Sequence, residues 1–155
     1  MNKLLLENIT IVIPTYKRYS YLLRILKFYK NNQKNIRILI LDSTPYNPSN
    51  KELIQLISAD NVIWKKYDSS TTFWDKIGKG SKYIQTGYVT LCADDDFINP
   101  SAIADCIEFL SNNSDYSSAH GLYFSHKSSD NVSAFSFTLY PLYQEGRSAF
   151  EETGI

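Results

Sequence analysis

The hydrophobic pattern alternates between two periods over the first two thirds of the chain. ITIVIP (9–14) is short, β-branched and unbroken, as in a strand buried on both faces. YLLRILKFYKNN (21–32) then sets Leu22, Ile25, Leu26 and Tyr29 on one helical face. IRILIL (36–41) is a second buried strand, and the Pro-, Ser- and Asn-rich DSTPYNPS after it is a loop. Ser49, three residues ahead of Glu52, makes a capping box that opens a helix through ELIQLI. NVIWKKY (61–67) reads as a third strand. TTFWDKIGKGSKYIQ (71–85) reads as a helix weakened by Gly78 and Gly80. YVTLCA (88–93) is a fourth strand with a buried look, and Asn99-Pro100 supplies an N-cap and a first-turn proline for a helix through SAIADCIEFL. This alternation predicts an α/β fold, a mostly parallel three-layer α/β/α sheet of Rossmann-like type.

Beyond residue 115 the texture changes. SAHGLYFSH and VSAFSFTLY read as strands, and Phe135, Phe137 and Leu139 alternate with Ser136 and Thr138, so antiparallel strands are expected toward the C-terminus. SHKSSDN and PLYQEGRSAFEETGI read as loops. A chain of 155 residues suits one domain, 1–155.

Composition narrows the partners. Sixteen basic and sixteen acidic residues leave no net charge, which removes a global electrostatic case for nucleic acid or an anionic membrane. Aromatic residues reach 14%, with twelve Tyr, side chains whose apolar ring and polar tip suit sugars and bases. Cys92 and Cys106 read as buried free thiols, in keeping with a reducing cytoplasm. The apolar run in MNKLLLENIT is too short for a signal peptide, and no stretch is long enough to span a membrane. The sequons at Asn8 and Asn131 read as chance.

In an open parallel sheet, ligands bind beyond the carboxyl ends of the strands. PTYKR (14–18) follows the first strand, Asp42 the second and Asp94-Asp95-Asp96 the fourth, all at one edge. Three adjacent carboxylates repel one another unless a cation compensates them. Mg²⁺ and Mn²⁺ take oxygen ligands, and Mg²⁺ is often held by one or two carboxylates plus substrate phosphates. The competing reading makes the aspartates caps of the helix that follows. Asp42 is equally readable as a ligand or as the start of a turn. Lys76 and Lys79 are a solvated helix face or phosphate partners, and His120 and His126 have no cysteine cluster to suggest zinc.

Three pieces, ITIVIPTYKR, IRILILDST and YVTLCADDDFINPSAI, together resemble the N-terminal, nucleotide-sugar-binding half of a family 2 glycosyltransferase with a GT-A fold, over about residues 8–125. The resemblance implies that Thr15 and Tyr16 contact the base and ribose, with Arg18 in the same donor-binding loop. It implies that Asp42 accepts a hydrogen bond from the base and that Asp94 meets the ribose or sugar. It also implies that Asp95 coordinates Mn²⁺ or Mg²⁺, with Asp96 beside it. The family's A-R-N-x-G stretch is replaced by DKIGKGSK, where Lys76 takes the phosphate-facing role. Implied partners are a nucleotide-diphosphate sugar, UDP-sugar favoured, and a glycan acceptor. The implied reaction is hexosyl transfer with inversion, of the kind used in polysaccharide biosynthesis, with peripheral membrane association compatible. The family's general base lies downstream, where Glu145, Glu151 and Glu152 are the late acids and none has a recognisable context, so the catalytic base is unassigned and the chain is expected to bind donor without completing transfer. A nucleotidyltransferase is the main alternative, disfavoured because PTYKRYS lacks an activating glycine. A phospho-receiver would need its acid pair after the first strand, and a silent nucleotide-sugar binder would share every motif.

Overall fold

The four apolar runs form one parallel sheet in a computed structural model of the chain, which describes residues 3–32, 35–127 and 136–140. A short helix α1 (Lys3–Leu6) precedes β1 (Ile9–Thr15), α2 (Tyr19–Asn32), β2 (Arg37–Asp42), α3 (Lys51–Ile57), β3 (Val62–Lys66), α4 (Phe73–Gly80), β4 (Tyr88–Leu91) and α5 (Pro100–Asn112). The strand order is β3-β2-β1-β4, so the chain turns back across β1 to place β4. The carboxyl ends of β1 and β4 on either side of that reversal form the crevice where ligands of open α/β sheets bind.

Alternation within the central strands feeds two cores. Ile11 and Ile13 of β1 and Ile38 and Ile40 of β2 point to one face, where Leu22, Ile25, Leu26 and Tyr29 of α2 meet Leu53 of α3 and Ile103 and Ile107 of α5. Val12, Leu39 and Leu41 point to the other, under Ile77 of α4 and Tyr83 and Ile84 just beyond it. This is the expected three-layer arrangement, and all four expected α2 positions are buried. Cys92 is buried and both cysteines are free thiols.

Local chemistry corrects several boundaries. The N-cap of α3 is Asn50, not Ser49: its Oδ1 accepts the Leu53 amide at 3.0 Å. The capping box expected there is not formed; at α4 the N-cap Thr72 accepts the Asp75 amide at 3.2 Å and its hydroxyl donates to the Asp75 carboxylate at 2.8 Å. α4 stops at Gly80 and continues only as a 3₁₀ turn, Ser81–Tyr83, rather than to residue 85. Asn99 and Pro100 begin α5 as expected, Asn99 Oδ1 accepting the Ser101 amide at 2.9 Å. The buried look of the fourth strand is misleading. Among the described residues β4 pairs only with β1 and so forms an edge of this sheet, with Val89 53% and Leu91 49% exposed.

Gly80 has a packing reason that its helix-weakening composition conceals. A Cβ there would lie 2.7 Å from both methyl carbons of Leu41, which is fully buried on β2. Gly80→Ala is therefore expected to destabilise the protein by about 1–3 kcal/mol despite alanine's better helix propensity, because Leu41 must leave its rotamer in a filled core. A urea melt of the variant checks this. A gain in stability would mean that Leu41 moves aside at no cost.

The chain divides into two units, Met1–Tyr116 and Ser117–Ile155. In the second, β5 (Tyr123–Lys127) and β6 (Ser136–Tyr140) pair antiparallel, Ser125 opposite Thr138. Asn131, Glu145, Glu151 and Glu152 lie outside the described residues. Among the described residues no helix is long and apolar enough to cross a membrane.

Candidate functional site

The carboxyl ends of the strands open onto a cleft of about 510 Å³, within the usual range of small-ligand sites. Thr15, Tyr16, Arg18, Lys76 and Asp94 line it together with Ser43. The turn after β1 shapes its wall. Lys17 has φ 58°, the left-handed region that a non-glycine residue enters at a cost of about 1–2 kcal/mol. Its amide donates to Thr44 Oγ1 at 2.8 Å, which ties the turn to the loop after β2. Backbone strain of this kind concentrates at binding sites. Here it leaves Tyr16 exposed at the cleft while Arg18 reaches across to the acidic triplet.

The three aspartates occupy three different environments. Asp94 is buried: Thr15 Oγ1 donates to its Oδ2 at 2.7 Å, and Arg18 Nη1 sits 3.2 Å from its Oδ1. Burial pushes its pKa above the ordinary value, against the opposing pull of Thr15 and Arg18. Asp95 is exposed and accepts from Arg18 Nη2 at 2.6 Å, a bond that holds its pKa below the usual carboxylate range. Asp96 is exposed, and its amide closes a turn onto the Ala93 carbonyl at 3.1 Å. None of the three side chains caps α5, since Asn99 does so. Arg18 is the compensating cation that three adjacent carboxylates require.

Lys76 comes from the first turns of α4 and points into the fold beneath the cleft. It is 5% exposed, and its Nζ donates to the Thr15 carbonyl at 3.2 Å and to Ser43 Oγ at 3.0 Å. Burial lowers its pKa, and the charges of Asp42 and Asp94 only partly oppose this. Lys79, its alternative from the sequence, is exposed.

Asp42 is the expected site residue that the structure does not bring to the cleft wall. It is fully buried, and its carboxylate receives four donors from the protein itself. The Thr44 amide donates to Oδ1 at 2.7 Å, an Asx turn. Tyr19 Oη at 2.9 Å, Trp64 Nε1 at 3.2 Å and Lys66 Nζ at 3.2 Å reach Oδ2. Lys66 also donates to the carbonyls of Thr44 and Tyr46, pinning the loop after β2. Tyr19, Trp64 and Lys66 carry no sequence signal of this role. Asp42 and Lys66 become neighbours only through the parallel register of β2 and β3.

The sequence also gave no sign of Phe73, which lines the cleft and packs edge-on against the exposed Trp74, ring centroids 4.9 Å apart. Among the described residues, no three or more His, Cys, Asp or Glu side chains are grouped as a metal site. The donor set still fits an ion of the Mg²⁺ type, which needs one or two protein carboxylates and completes its shell with phosphate oxygens and water. Asp95 and Asp96 are exposed carboxylates that directly follow the cleft-lining Asp94; Asp94 is engaged by Thr15 and Arg18, and Asp95 by Arg18 alone.

The parallel sheet thus carries at its switch point a cleft with a buried lysine and an arginine forked onto Asp94 and Asp95. No curated protein matches the chain. The model of the family described as Glycosyl transferase family 2 matches residues 10–153, nearly the whole sequence and further than the three motif segments reach. The chain therefore belongs to glycosyl transferase family 2 and is a glycosyltransferase domain.

Proposed function

We propose that this domain binds a nucleotide-diphosphate sugar, UDP-sugar favoured, and uses Mn²⁺ or Mg²⁺ to transfer the hexosyl group with inversion to a glycan or other hydroxyl acceptor. The observation that carries this reading is a cleft lined by two cations, Lys76 and Arg18, and by Asp94, with Arg18 also paired to Asp95. Lys76 and Arg18 face phosphate, while Asp94 and Asp95 face the sugar side and the ion. Tyr16, exposed at the mouth, offers its ring to the base, and Thr15 holds Asp94 in place for the ribose or sugar hydroxyls. Asp42 supports this wall from beneath through Thr44 and Lys66 rather than touching the base.

Asp95 and Asp96 are the residues that would hold the divalent ion. When bound, such an ion supplies Lewis-acid charge for the leaving diphosphate. Lys76 adds a preorganised positive charge at the cleft floor, where burial strengthens its field on a developing anion. Transfer also requires a general base to take the acceptor hydroxyl's proton, a role assigned to none of the described residues. The reducing character of the two free thiols and the nucleotide-sugar donor together favour a cytoplasmic site of action.

The test is a thermal-shift panel of UDP, GDP, CDP and dTDP, each with Mn²⁺ and with chelator. UDP with Mn²⁺ is expected to stabilise the protein, by about 2.7 kcal/mol at a hundredfold excess over Kd. Equal stabilisation in chelator removes the ion from the proposal. No stabilisation by any nucleotide removes the donor.

A further inference from the structure

Arg18 does more at this site than neutralise it. Its guanidinium forks between two carboxylates, 3.2 Å from Asp94 Oδ1 and 2.6 Å from Asp95 Oδ2. We propose that Arg18 is an internal counter-ion switch: it closes the acidic triplet in the empty protein and releases Asp95 when a nucleoside diphosphate enters, so that divalent-cation binding is conditional on nucleotide. The proposal rests on the reading of Asp95 as an ion ligand.

The two arms of the fork are unequal. Asp94 is buried and is also held by Thr15 at 2.7 Å, so it keeps its position if Arg18 leaves. The Asp95 side chain is 41% exposed, and the Arg18 bond holds it at the cleft edge. The Asp95 backbone is anchored separately, because Arg24 donates to its carbonyl at 2.9 Å. Releasing the side chain therefore leaves a carboxylate free to turn on a backbone that stays put.

Arg18 also has somewhere to go. It lines the cleft, its side chain is 41% exposed, and its guanidinium stacks over the Tyr21 ring at 4.4 Å, a flat surface along which it can swing. With Arg18 in place, an approaching divalent ion meets a positive charge already seated on Asp95, one of its two would-be ligands. A diphosphate reverses the balance: it carries more negative charge than one carboxylate and presents oxygens that a guanidinium can bridge bidentately. Lys76 does not substitute for this movement, since its ammonium is held on the Thr15 carbonyl and Ser43. Coupling of this kind is reciprocal, so nucleotide tightens the ion by the same factor that the ion tightens nucleotide.

The experiment uses the full chain, wild type and Arg18→Gln, which keeps a long polar side chain without the charge. Mn²⁺ alone is titrated by electron paramagnetic resonance of the free ion. UDP is then titrated calorimetrically with and without Mn²⁺, against protein-free blanks. Arg18→Gln is expected to bind Mn²⁺ alone roughly 10-fold more tightly than wild type, the scale of removing one nearby like charge at an exposed site. The factor by which Mn²⁺ strengthens UDP binding should shrink correspondingly. Mn²⁺ affinity that is unchanged or weaker in Arg18→Gln overturns the switch. Should that variant unfold, the wild-type chain still decides: its Arg18 Nε–H resonance must shift on adding saturating UDP in metal-free buffer, and an unmoved resonance overturns the proposal. Failure of wild type to bind UDP under any condition overturns the donor reading instead, and the Mn²⁺-only comparison then judges the switch separately.

Discussion

Lys76→Met is expected to fold like the parent and to bind UDP roughly 10–100-fold more weakly, the scale of losing a charge-assisted hydrogen bond to phosphate. Methionine fills nearly the same volume and removes a charge whose burial is unfavourable, the direction recorded by its lowered pKa. Uridine, which carries no phosphate, should bind both proteins equally. The pH dependence follows from the lowered pKa of Lys76. In the window between that value and the ordinary lysine value of 10.5, the unfolded chain holds a proton that the folded chain has lost. Lys76 therefore makes a contribution to stability that rises with pH across the window, while UDP affinity falls as the ammonium is lost. Lys76→Met should show neither effect. Calorimetric titration of UDP and uridine checks the first claim, and urea melts across the alkaline range check the second. Equal loss of uridine and UDP affinity in the variant would show that Lys76 shapes the cleft rather than meeting phosphate.

Asp42→Ala is expected to be strongly destabilising, costing roughly 3 kcal/mol and lowering Tm by about 10 °C. It strands the Trp64 indole N–H and the Thr44 amide without their acceptor and leaves Lys66 without its carboxylate partner. The figure is set at the low end for a broken buried pair because the Lys66 side chain is 32% exposed and water can take part of the loss. Asp42→Asn, which keeps an oxygen in place, should cost less. Urea melts give the stability, and uridine binding measured well below Tm separates two roles. A cost under about 1 kcal/mol with strongly weakened uridine binding would restore Asp42 as a base contact. A large cost with little change in uridine affinity identifies it as the support of the cleft wall.

The order and type of the elements in the first unit were legible because the apolar runs carry the right period. Strands buried on two faces appear as unbroken β-branched runs, and α2 shows its buried stripe in Leu22, Ile25, Leu26 and Tyr29. Element ends were less legible. Ser49 and Asn50 are both competent caps, and only the backbone path decides which side chain reaches the Leu53 amide. The edge position of β4 was hidden for a related reason: YVTLCA is as apolar as a central strand, and strand order is a property of the crossovers, not of any one run.

The sequence by itself determined which chemical groups collect at the carboxyl edge of the sheet. In a parallel sheet every strand ends at that edge, so PTYKR, Asp42 and the aspartate triplet had to share it. It could not determine how those groups divide the work. Asp42 turns inward because Lys66, Trp64 and Tyr19, distant in sequence, converge on it through the β2–β3 register and the start of α2. Lys76 becomes the buried cation and Lys79 a solvated one because α4 packs only one of its faces on the sheet. Arg18 occupies the triplet because a left-handed residue at Lys17 aims the turn across the cleft. Each of these assignments depends on a distance between residues far apart in the chain, and such distances exist only once the chain has folded.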